Sequence, residues 1–237
     1  VNTQHQIAMK EHDMQPTNSN LIRWAGIAAM LAGAIFVGIQ PIHPADALAS
    51  VTTSLWAVIT PLKTAMCMLF LLGITGLYAR QAARAGWLGL AGFLMLTLSW
   101  ALQLTFIFAE AFILPVLAPV APTFVESFFS ILNGSTSQIA LGALPALYTL
   151  VGIMYIFGGL VFGIATLRAR VMPRWAAGLL VVAAAITPAA ALIPHPLNRV
   201  LAVPTGIAFV CLGYALWSER RANTTMPVSG SVMSPLS

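Results

Sequence analysis

The sequence predicts an all-α integral membrane protein, a bundle of six transmembrane helices, and three observations carry that expectation. The composition is 59% hydrophobic and 7% charged, against about 45–50% and 25% in soluble domains. Six apolar runs reach the roughly 20 residues with which a helix crosses a hydrocarbon core about 30 Å thick. None alternates with period two, which removes a β-barrel, the other structure that satisfies its own backbone in lipid.

The elements follow in order. Residues 1–20 are polar and lack the apolar stretch of a signal peptide, so they read as a cytoplasmic tail. The membrane domain occupies 21–218, with spans at 21–40, 54–79, 86–113, 145–167, 175–193 and 199–217. Residues 219–237, rich in Ser, Thr, Pro and Gly, read as a disordered cytoplasmic tail. Between the third and fourth spans, Glu126 to Leu132 reads as a short amphipathic surface helix stopped by Asn133-Gly134. Pro61, Pro145, Pro188 and Pro204 are expected to kink four helices.

Orientation follows from the cations. Lys10, Arg23, Arg80, Arg84, Arg168, Arg170, Arg174, Arg220 and Arg221 all fall on the two tails or on the second and fourth loops. With six spans these regions share one side, which the positive-inside rule makes the cytoplasm, with both termini there. The net charge of +5 is thus spread over interfacial clusters rather than gathered in a patch, and nucleic-acid binding is excluded. Cys67 and Cys211 lie inside apolar runs and read as small core residues, not as a disulfide.

A weak repeat runs through the chain. Gly73, Ile74, Leu77, Ala79, Arg80 and Arg84 recur 90 positions later as Gly163, Ile164, Leu167, Ala169, Arg170 and Arg174. Arg and Trp open each odd-numbered span, as Arg23-Trp24, Arg84 with Trp87, and Arg174-Trp175. The pattern suggests three helical hairpins of common origin, although Arg and Trp also mark any cytoplasmic interface.

Polar residues inside the spans are the candidates for function, because lipid makes them costly. Lys63 lies roughly 14 Å inside the second span at 1.5 Å per residue. Thr60 and Thr64 share its face. On the third span Ser99, Gln103 and Glu110 fall within about 40° of one another. A Lys63–Glu110 pair facing a polar cavity open to the outer side is therefore expected, with Tyr148 adding a hydroxyl. Such a pair either serves a binding, transport or proton-handling site or simply locks two helices together.

His43 and His195 form a second candidate set. Both sit between prolines at outer span ends, as Pro41-Ile42-His43-Pro44 and Pro194-His195-Pro196. Two such imidazoles suit a metal or haem iron, but no cluster of Cys or carboxylates completes a set, and water-facing helix-end histidines are the plainer reading. No cofactor is expected. There is also no phosphate-cradling glycine loop, nucleophile elbow or His-Glu-x-x-His pair, which leans against an enzyme.

Gly76-Leu77-Tyr78-Ala79-Arg80-Gln81, Phe162-Gly163-Ile164-Ala165-Thr166-Leu167-Arg168-Ala169-Arg170 and Pro173-Arg174-Trp175-Ala176 resemble stretches of uncharacterised bacterial multi-pass membrane proteins of the domain-of-unknown-function 4386 kind. The resemblance implies a bacterial inner (plasma) membrane location and carries over no catalytic residue. The function expected first is small-molecule binding or transport through a cavity between the second and third spans. The alternatives are a membrane-embedded enzyme or haem or metal redox protein using the outer histidines, and an accessory subunit packed against a membrane partner or a second copy of the chain.

Overall fold

The computed structural model describes residues 2–193 and 197–224, with side chains described for 20–193 and 197–218. Among the described residues every regular element is helical. The helices are α1 (Asn2–Ile39), α2 (Leu48–Val51), α3 (Ser54–Phe108), α4 (Leu114–Leu117), α5 (Pro122–Asn133), α6 (Leu144–Ala169), α7 (Arg174–Ile186) and α8 (Val203–Thr224). A π-helical turn, Ala109–Ile113, joins α3 to α4, and 3-10 turns at Gln40–Ile42, Thr187–Leu192 and Leu197–Ala202 end α1, end α7 and lead into α8.

Five helices are long and apolar enough to cross a membrane, one fewer than the six expected. The difference lies at Gly86. The second and third expected spans lie within one stretch, Ser54–Leu117, whose helix breaks where Gly86 takes φ 57° and ψ −157°. Only glycine enters that region freely. The two arms of α3, 54–85 and 87–108, lie antiparallel: Tyr78 stacks on Phe93 and Phe70 on Trp100, and Lys63 pairs with Glu110, contacts that straddle Gly86 almost symmetrically.

Helix α1 begins at Asn2, so the polar 1–20 segment is continuous with the first span, and α8 runs to Thr224, past the boundary at 219 set for a disordered tail. Of the four prolines, only Pro61 lies well inside a helix. Pro145 and Pro188 stand in the first two positions of their elements, and Pro204 is the second residue of α8. A missing N–H costs nothing there, because helix starts leave those donors unpaired anyway.

The long helices close into a ring. α1 packs on the first arm of α3, the second arm on α6, α6 on α7, α7 on α8, and α8 returns to α1. Small residues make two of these seams. A Cβ on Gly213 would lie 2.6 Å from the carbonyl oxygen of Gly26, and one on Gly158 would lie 2.7 Å from the amide nitrogen of Leu96. The backbones therefore touch directly, which is how helices associate where no water drives them together.

Inside the ring, Phe36, Phe70, Trp100, Tyr155 and Phe209 form a linked aromatic core. Outside it, Leu31, Val58, Leu72, Leu94, Phe108, Phe157 and Val182 are exposed. A surface this apolar fits lipid rather than water. Between the third and fourth expected spans, α5 appears as anticipated and ends at Gly134 in the left-handed conformation, φ 65°. Its Val125, Phe128 and Phe129 pack with Trp56, Phe106 and Leu114, capping the end of the bundle away from the turn at Gly86.

Candidate functional site: a charged cavity under α5

At that capped end lies a half-open cavity of about 1050 Å³. Its walls come from the end of α1, both arms of α3, the end of α5, α6 and the two 3-10 turns before α8. Lys63 and Glu110 both face it. Lys63 Nζ donates to Glu110 Oε2 at 2.5 Å, and the residues are 8% and 1% exposed. The expected pair therefore forms, in the wall of a polar cavity.

Local backbone chemistry positions Glu110. Pro115 has no N–H and its ring crowds the carbonyl four residues earlier, which disturbs a regular helix at this point. The chain answers with the π turn: Leu114 N–H donates to Ala109 O, five residues back, instead of to Glu110 O. The carbonyl released in this way accepts from the indole of Trp56, at 2.9 Å. One aromatic side chain on the first arm thus satisfies the backbone of the residue whose carboxylate meets Lys63. π turns of this kind recur at functional sites.

His43 completes the cluster. Its Nδ1 lies 2.6 Å from Pro44 O, and since a carbonyl only accepts, Nδ1 carries the proton. Nε2 of the neutral ring then accepts from Lys63 Nζ, at 3.0 Å. Both ring nitrogens are engaged within the protein, so His43 does not present an open ligand position here. His195, its expected counterpart, lies outside the described residues. Among the described residues no group of three His, Cys, Asp or Glu side chains is arranged to hold a metal ion.

The remaining expected residues divide. Ser99, Gln103 and Tyr148 line the cavity, and Ser99 Oγ also donates to Val151 O at 3.0 Å, tying the second arm of α3 to α6. Thr60 and Thr64 do not line it. Their hydroxyls donate back along their own helix, to Trp56 O and Thr60 O at 2.8 and 3.1 Å. A hydroxyl in a helix has that acceptor four residues behind it, so sharing a face with Lys63 did not bring it to the site.

Several wall residues carry polar atoms that sequence reading missed. Trp100 Nε1, Asn198 Oδ1 and Asp46 Oδ1 are buried with no hydrogen-bond partner among the described residues, and all three residues face the cavity. Asp46 Oδ2 accepts from Arg199 Nη2 at 3.0 Å, and Asp46 O accepts from Asn133 Nδ2 at 3.1 Å, so one aspartate joins the first loop to the α8 lead-in and to the end of α5. The opposite charges on the outer loops were the available signal for that pair. Compared with protein-family models, with curated proteins and with solved structures, the chain matches none.

Proposed function

We propose that this protein binds, and by virtue of its place in a membrane transports, a polar small molecule through the cavity under α5. The observation that carries the reading is that a buried ion pair, Lys63–Glu110, shares one cavity wall with an indole donor, Trp100 Nε1, and acceptors on Asn198 and Asp46 that have no partner among the described residues. Buried polar groups are ordinarily satisfied, and those left over face whatever occupies the space. A volume of about 1050 Å³ lies at the top of the range of ligand pockets, roughly 300–1,000 Å³. Apolar walls from Phe36, Met66 and Ile107 would take the body of such a molecule and the polar groups its ends.

In this reading the arms of α3 are two passes, so the chain crosses the bilayer six times. The arginine end is cytoplasmic and the cavity opens on the other face. The positive-inside distribution and the symmetric folding about Gly86 support that topology.

Native mass spectrometry of the protein released from lipid nanodiscs tests the site. The wild type should carry a reproducible small-molecule mass. Gln103→Leu should lose it, since Gln103 lines the cavity and is half-buried. The double variant Lys63→Met/Glu110→Gln should lose it too. A bare wild type, or the same adduct in all three proteins, would sink the proposal.

A further inference from the structure

The end of the bundle away from the cavity holds a second pocket, of about 330 Å³, where the turn of α3 meets the C-terminus of α6. Arg80, Arg84, Arg170 and Gln81 line it, and among the described residues that line it none is a carboxylate. Arg80 and Arg170 are the repeat-related pair, brought from two helix ends to one opening. A positive cluster alone is expected on this face of any membrane protein. Two further observations point to a ligand.

The first is Gln81, 1% exposed. Its Nε2 donates to Thr166 Oγ1 at 2.9 Å, and the Thr166 hydroxyl spends its own proton on Phe162 O at 2.8 Å. Oε1 is left buried with no partner among the described residues, and it calls for a donor. The second is Arg170, the one described non-glycine residue at positive φ, 53°. It occupies the position after α6 where glycine sits without steric cost. The chain keeps an arginine there, with its side chain on the pocket. Trp87 and Trp175, both exposed, follow Arg84 and Arg174 and set this end at the level of lipid head groups.

We propose that this pocket binds a phosphate ester carrying a neighbouring hydroxyl. The phosphate oxygens take the guanidinium forks of Arg84 and Arg170, with Arg80 at the rim, and the hydroxyl donates to Gln81 Oε1. A phosphatidylglycerol head group and free glycerol phosphate share this chemistry. The site lies at the opposite end from the cavity and does not depend on its function.

The test uses the full chain in nanodiscs of phosphatidylcholine with equal minor amounts of phosphatidylglycerol and phosphatidylethanol, an anionic diester without head-group hydroxyls, and reads retained lipid by native mass spectrometry. The wild type should retain phosphatidylglycerol over phosphatidylcholine, and over phosphatidylethanol by about three- to tenfold, the worth of one hydrogen bond. Arg84→Gln/Arg170→Gly should reduce phosphatidylglycerol to the phosphatidylcholine level. Arg170→Gly relieves the left-handed backbone, so misfolding does not explain that loss. Gln81→Leu should abolish only the discrimination between the two anionic lipids. Adding glycerol phosphate separates the sources: if it replaces the retained lipid, the ligand is the soluble ester, and if the lipid stays, the ligand is the head group. Equal retention of phosphatidylglycerol and phosphatidylcholine by the wild type, or undiminished phosphatidylglycerol in the arginine variant, overturns the proposal.

Discussion

Replacing Lys63 by Met isolates what the buried pair contributes. Methionine fills much of the space of the lysine stem but leaves Glu110, 1% exposed, facing no ammonium. Breaking a buried pair from one side costs about 3–5 kcal/mol, because the remaining charge stays desolvated and unpaired. The Nε2 of His43 loses its donor as well, which adds about 1 kcal/mol. Removing both charges, as Lys63→Met/Glu110→Gln, leaves no ion to strand, and replacing a whole buried pair is often nearly neutral. The double variant should therefore be more stable than Lys63→Met alone by at least about 2 kcal/mol. Reversible unfolding in mixed detergent micelles, followed by tryptophan fluorescence, measures the cycle, since the buried Trp56 and Trp100 report on this region. Single costs under about 1 kcal/mol, or costs that simply add in the double variant, would refute the account of Lys63 and Glu110 as a desolvated, mutually dependent pair.

Two further predictions address the frame around the pair. Trp56→Phe keeps an aromatic ring but removes the five-membered ring whose N–H satisfies Glu110 O. It should destabilise by about 1–3 kcal/mol, the penalty of a buried unsatisfied acceptor, and amide exchange across 109–114 should rise in the same variant; no change in either would show that the π turn needs no such support. With Cys67 and Cys211 replaced by Ala, single cysteines placed at the exposed Ala83 and Ser135 should be labelled by an impermeant maleimide from opposite sides of the membrane, whereas labelling from one side would mean that the arms of α3 do not cross.

The charge pair was legible because its signal is periodic: helical spacing gives the faces of Lys63 and Glu110, and rise per residue gives their depth. What was not legible depends on departures from the regular helix. His43 lies beyond the end of α1, and only the 3-10 turn at Gln40–Ile42 returns it to Lys63, so in sequence it looked like half of a symmetric histidine pair. Trp56 reaches Glu110 O because the π turn frees that carbonyl, and the visible cue, Pro115, said only that something must yield. Gly86 lay at the boundary expected for the third span, but the positive φ that turns the chain back there leaves no periodic trace. Thr60 and Thr64 misled because face alone does not say whether a hydroxyl turns to a cavity or to its own backbone.

The closed ring of helices also bears on how the chain is made. The seam between α1 and α8, where the backbones of Gly26 and Gly213 touch, joins two helices far apart in the chain. The α3 arms and α6 find their neighbours within a few tens of residues, but one face of α1 waits for α8. Contacts so distant in sequence are the slow ones to form. The ring around Lys63 therefore stays open on one side until α8 has been inserted, rather than being built up with each hairpin.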